Sequence, residues 1–491
     1  MKIKSKKSFF CVLAVFFLIT PFLVYSQQRP EIYLSLEDVS KLGLDNNLDI
    51  QIAKIEYYMD EQDILDSKSI FDTVLDLEAT YEHDKSQKNS SALADDTRSR
   101  NYKASLKKKF STGTTVTLDA AYDRASSNSS SLLQNPSREA EYGVNINQPL
   151  AKNFFGLVDR GNLKITKLNV ESSQLVSLDN IENYLAQVQI AYWNLALAYE
   201  KYKIYSSMQD EASKLFFIYK NKLDKGLAEK PDFYAAQANL EIRRSQVFDA
   251  LLDIETKKNN LLFMLNNKDL NVKINIKDNL DTYAQVVGLY DVLNEAVEKR
   301  RDYKVAKKDL DINKIDLKMK KNSLWPQIDL EASFTKNGID SSFNDSWQRA
   351  YDQANTDFSV GFKVSFPLEN REARAAYKKA DLKKAKYLLG LKRVESLILM
   401  EVNTQVQKVN TLANQVWAQR RIVTMQEEKL KAEKDRFQYG RSSSDLLIRY
   451  EDDLLSAKLS LVNYFFMYRS ALIELDVITN SLLDKYWEGS L

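Results

Sequence analysis

One cysteine and one histidine are all that the 491 residues offer of the side chains most used for metal ligation and nucleophilic chemistry. A disulfide within the chain needs a second thiol, and zinc sites built on several cysteines or histidines are excluded with it. No nucleophile–base pair, phosphate loop or metal-ligand cluster can be found. The chain therefore reads as a non-enzyme with no catalytic residue, cofactor or metal. Glycine (12) and proline (7) together make about 4% of the chain, against roughly 12% on average, so helix breakers are scarce. Charge of one sign is missing too: 70 Lys and Arg nearly cancel 68 Asp and Glu, which argues against nucleic acid as a partner. Beyond residue 26 there is no run of 18 apolar residues, so entry into a membrane would have to use β-strands.

What is present begins with a separate N-terminal unit, 1–26. MKIKSKKS is basic, FFCVLAVFFLITPFLV is apolar, and Val24-Tyr25-Ser26 offers small residues at the cleavage positions. This is the pattern of a cleaved signal peptide, and Pro21 disfavours an uncleaved anchor helix. Cys11 lies inside the apolar core, so the mature chain would carry no thiol and no lipid-acylation site.

The remainder is written twice. LDLEATY at 75–81 returns as IDLEASF at 328–334, and the same offset of 253 puts Asp49 on Asp302 and Ala53 on Ala306. Repeats of this length precede any other reading. The first copy spans 27–265, with strands inside 74–149. A linker covers 266–288, the second copy spans 289–483 with strands inside 327–367, and a tail runs over 484–491. Apolar periodicity predicts helices over 36–70, about 160–224 and about 231–265, then 289–324, 372–438 and 445–483. At about 1.5 Å per residue the second of each set is near 100 Å long, as long as its two companions stacked end to end. Such rods suit the wall of a tube rather than a compact globule. Leu185, Val188, Tyr192, Leu195, Tyr199 and Tyr202 follow a heptad and predict its packing seam.

Six segments alternate with period two, starting from Leu75, Tyr102, Val116, Tyr142, Ile328 and Phe358. One phase is apolar and the other polar or small, as a strand between lipid and water requires. Tyr81, Tyr102, Tyr122, Tyr142, Phe334 and Phe358 all fall in the apolar phase at the ends bordering long Ser-, Asn- and Asp-rich loops, the placement of a membrane girdle. Ser111–Thr114 is the short turn at the opposite end. Asp76 and Glu78 are expected to face Lys103, Lys107 and Lys109 across the water side. Lys108 falls in the lipid phase near the far end, where it can snorkel. A soluble sandwich would explain the alternation but not the in-phase aromatics. Six strands are too few to close a lipid barrel, so the chain must oligomerise.

LSLEDVSKLGLDNNLDI after the signal, NQPL closing the first strand region, KGLAEKPDFYAAQANLE at the first hairpin and YGRSSSDLLIRYEDDLLSAK at the second resemble the TolC family of outer-membrane efflux proteins. The resemblance implies an α+β homotrimer: a long α-helical barrel continuous with an outer-membrane antiparallel β-barrel. It implies residence in the outer membrane with extension into the periplasm. Its implied partners are outer-membrane lipid, a periplasmic adaptor and an inner-membrane efflux or secretion transporter. Family members usually give four strands per protomer. Six would close as eighteen, unless the hairpin at 102–122 stays outside the wall. Gly226, Leu227 and Gly440 would form the adaptor-docking tip, although a glycine there also serves as a plain helix cap. Asp232 matches the carboxylate that ties the closed tip, with Arg441 as its cation and Tyr439 nearby. It would equally complement the helix dipole after Pro231. The family's inner acidic ring falls on Leu446 and Arg449, with Asp445 and Asp452 as the acids actually present. The competing reading is a periplasmic coiled-coil structural or adaptor protein without a pore. The cargo cannot be read from the helices.

Overall fold

A computed structural model describes residues 30–88, 96–128, 134–281, 283–353 and 355–487. The expected signal peptide and the last four residues of the tail lie outside the described residues. The first copy runs α1 (Leu36–Asn46), α2 (Leu48–Lys68), β2 to β5 (Thr73–Asp84, Thr97–Lys109, Thr115–Ser127, Ser137–Pro149), α3 (Leu157–Asp224) and α4 (Lys230–Met264). The second runs α5 (Leu289–Lys299), α6 (Arg301–Asn322), β7 (Gln327–Asp340), α7 (Phe343–Asp352), β8 (Thr356–Ser365), α8 (Arg371–Gln438), α9 (Ser444–Thr479) and α10 (Leu482–Tyr486). A short strand precedes the first helix of each copy, β1 (Glu31–Leu34) and β6 (Lys273–Ile276), and the two pair in parallel.

The long helices α3 and α8 have 68 residues each, about 100 Å at the usual rise. Shorter helices stack beside them: α2 and α4 on α3, α6 and α9 on α8. Front helices and leading strands recur at an offset of 253 and the long helices and hairpins at 214; the difference of 39 residues is taken up by the β3–β4 hairpin.

Each front helix, expected as one piece, is broken, at Asn47 and at Arg300. Both residues are extended (ψ 126° and 124°) and lie 253 positions apart. The break lets a shorter helix meet the end of its stacked neighbour. Asn47 accepts from the Ile50 amide to cap α2 and donates to the Met264 carbonyl at the end of α4 (2.8 Å). In the second copy Asn480, left-handed at the end of α9, accepts from the Arg301 amide (2.8 Å) and donates to Glu182 (2.7 Å). Glu182 is fully buried and also accepts from the Leu482 amide. Burial is the main influence and raises its pKa, opposed by the Arg301 guanidinium.

The heptad seam of α3 is buried from Leu185 to Leu195. Its tyrosines hold the equatorial strands: Tyr192 donates to Asp278 (2.8 Å) and Tyr199 to the Ile274 carbonyl (2.6 Å). A second apolar cluster, with Met208, Leu215, Tyr219, Leu447 and Leu454, packs the helices near the hairpin turns.

The strands form one sheet in the order β2-β3-β4-β5-β7-β8, every neighbour antiparallel. The β3–β4 hairpin lies inside it, so the alternative of a hairpin outside the wall is not realised. Strands run further into the loops than period two alone suggests, because ladder hydrogen bonds continue where the alternation fades.

Candidate functional site

Register fixes the two faces of the sheet. Leu75, Leu106, Leu118, Val144, Phe334 and Phe358 are partners in one unbroken apolar row across all six strands. The other face is polar. There Asp119 accepts from Ser105 (2.5 Å) and Asn145 (2.9 Å) and lies 3.5 Å from Lys103. Lys103 is the register partner of Glu78 as expected, but its ion pair is with Asp119. Lys109 reaches Asp159 at the start of α3 (2.8 Å) instead of an acid on β2, because β2 ends before it.

Tyr81, Tyr102, Tyr122, Tyr142, Phe334 and Phe358 all lie on the apolar face. They step down the register from β2 to β8: Tyr102 pairs with Tyr122, Tyr142 with Ala120, and Phe334 with Val144. Strands that tilt in a barrel require such a stagger if the aromatics are to share one depth. The helix α7 is unforeseen. Ser342 caps it through the Asp345 amide, and its buried Ser346 and Ala350 rest on Gly338. A Cβ at Gly338 would sit 2.3 Å from the Ala350 nitrogen, so only glycine permits the contact. Phe343 packs edge-on against Tyr122 (4.8 Å), and Tyr142 donates to the Ala350 carbonyl. Two of the expected girdle aromatics are thus partly covered by the chain's own helix.

At the other end, both hairpin turns close alike. After α3, Gly226 (φ +69°) donates to Leu223 and Leu227 to Lys222; after α8, Gly440 (φ +72°) donates to Phe437 and Arg441 to Arg436. These are Schellman closures, which need a left-handed residue. Nothing lies within 4 Å of a Cβ at either glycine, and Leu227 and Tyr439 are more than 70% exposed. The turns are bare projections.

Asp232 and Arg441, expected to pair, do not pair within the protomer among the described residues. Asp232 accepts from Ser444, the buried first residue of α9 (3.1 Å), while Arg441 uses its amide to close the turn and leaves its side chain exposed. Tyr219 of α3 lies beside the same serine, and burial raises its pKa. Asp445, Arg449 and Asp452 are exposed along one face of α9, as the i, i+4, i+7 spacing dictates. Asp452 is not a free acid: it pairs with Arg243 of α4, itself buried. Leu446 is half-buried. Beside them Glu451 is buried, and its pKa is raised to about 7, first by burial; Lys434 and Arg243 oppose the shift, and Glu211 and Asp452 add to it. The single histidine, His83, lies near the end of β2 and meets Asp96 (2.9 Å). No group of acids and histidines able to hold a metal occurs among the described residues.

The family model described as outer membrane efflux protein matches residues 114–267 and 292–481, one match for each copy. Among solved structures, CusC aligns with a TM-score of 0.67 at 15% identity, covering 90% of this chain and 91% of its own. VceC from Vibrio cholerae aligns at 0.64 and 14%, covering 91% and 95%. The Campylobacter jejuni CmeC outer membrane channel aligns at 0.63 and 15%, covering 91% and 85%. At such identities the likeness establishes the fold alone. No curated protein sequence matches the chain.

Proposed function

Because the chain belongs to the outer membrane efflux protein family, an outer-membrane efflux channel that extends into the periplasm, we propose that three copies close one pore of eighteen strands. The observation that carries this is a single six-stranded sheet with two open edges, β2 and β8, both exposed nearly throughout. Unpaired edges of apolar-faced strands are untenable in lipid, and copies of the same chain are the partners that remove them. The apolar row meets hydrocarbon and the Asp119 face lines water.

The tips at Gly226-Leu227 and Gly440 dock a periplasmic adaptor, which couples the duct to an inner-membrane transporter. Two identically closed turns with bare surroundings and an exposed leucine support this reading. Asp445 and Arg449, on the exposed face of α9, set the charge of the constriction. The cargo is small molecules or proteins delivered by that transporter.

Cysteine pairs placed along β2 and β8 test the closure. Oxidation of cells carrying them is expected to give a ladder ending at three chains; a ladder that ends at two, or does not form with any pair, would refute the eighteen-stranded ring.

A further inference from the structure

On the apolar face, one register row beyond Tyr102 and Tyr122, three arginines stand side by side on adjacent strands. Arg100 partners Arg124, and Arg124 partners Arg138. Arg100 and Arg124 are exposed and Arg138 is half-buried. None has an ion pair among the described residues; Arg100 has only the Tyr81 ring, 5.8 Å away. The acid opposite Arg138 on β7, Asp340, is engaged by Arg349 of α7. Like charges directly opposite one another on a sheet repel, and an anion between the three would relieve that repulsion.

The anion is identified by depth and by what lies beneath. The row begins just outside the aromatic girdle, where lipid headgroups sit. Below it Ala79, Ala104 and Ala120 leave a groove of about 540 Å³, walled by Tyr102 and overhung by Phe343 and Trp347. The groove opens onto the same apolar wall that meets hydrocarbon. Guanidinium forks match phosphate oxygens bidentately.

We propose that this face binds a phosphorylated lipid of the outer leaflet, its phosphate groups on Arg100, Arg124 and Arg138 and an acyl chain in the alanine groove under α7. The proposal rests on the apolar face being turned to the membrane.

The test is native mass spectrometry of the full-length protein in non-ionic detergent. The probes are lipid A with both phosphates, the same lipid dephosphorylated, and inorganic phosphate. The wild type is expected to retain the phosphorylated form about tenfold over the other, and R100Q/R124Q/R138Q to lose that preference. Ala104→Leu with Ala120→Leu fills the groove and should weaken both lipids alike. Inorganic phosphate should not displace the lipid. Equal retention of the two lipids by the wild type would overturn the proposal without recourse to any variant, and so would displacement by free phosphate or a preference surviving the triple change. Single-channel conductance of the same preparations separates the readings: a conducting wild type without lipid preference sinks only this inference, and one that does not insert sinks the channel itself.

Discussion

Ser444 donates its hydroxyl to Asp232 across 3.1 Å, joining the first turn of α4 to the first residue of α9. Tyr219 of α3 lies beside the same serine, so three helices from both copies come together at this point just above the tip.

That contact yields the first prediction. Ser444→Ala removes the hydroxyl that Asp232 accepts from, costing about 1 kcal/mol, and the tip should open: planar-bilayer conductance rises. Arg441→Ala should leave conductance near the wild-type value, since Arg441 does not reach Asp232 within the protomer. The reverse ranking would restore Arg441 as the latch.

Glu451 gives a pH dependence with a definite sign. Its folded pKa, about 7, exceeds the ordinary 4.5. The folded state therefore holds the proton more tightly, and this contribution is complete below about pH 4.5 and lost as pH rises through 7. Glu451→Gln should be indifferent to pH over that window and more stable than the wild type at pH 8 by about 2–3 kcal/mol. Urea denaturation in detergent at pH 5 and pH 8 measures both; parallel curves for the two proteins would contradict it.

The two acids of α9 should differ. Asp452 is neutralised by buried Arg243, so Asp452→Asn should lower stability by about 1–3 kcal/mol and barely move ion selectivity. Asp445 is exposed and unpaired among the described residues, so Asp445→Asn should shift the reversal potential toward anions with little loss of stability. Reversal potentials and melting curves of both variants decide it.

At the tip, Gly226→Ala and Gly440→Ala meet open space but force a left-handed backbone, costing about 1–2 kcal/mol each. Leu227→Asp should leave melting unchanged and abolish cross-linking of the tip to the adaptor in cells. A variant that still cross-links would remove the tip from the docking surface.

Much of this architecture is legible in the sequence, for physical reasons. Scarce glycine and proline leave the periodicities of 3.6 and 2 uninterrupted, and duplication presents them twice. The six strands and the shared face of the six aromatics follow from them. What stayed hidden is tertiary. The breaks at Asn47 and Arg300 use one extended residue without glycine or proline, so the apolar pattern continues across them. The strands β1 and β6 are four residues each, too short for a period. The helix α7 sits in a polar loop, although Phe343, Trp347 and Tyr351 at spacings of four, behind Ser342 and Asp345, were a usable signal. The resemblance puts the acidic ring at Leu446 and Arg449, with Asp445 and Asp452 as the nearby acids, but nothing along the chain reveals that Arg243 comes to meet Asp452.

The mass of the particle extracted from outer membranes by non-ionic detergent tests the central claim most directly. Three chains in one particle, migrating differently before and after boiling and conducting in a bilayer, are what the open-edged sheet requires. A single chain that stays in water without detergent and leaves bilayers silent would contradict it.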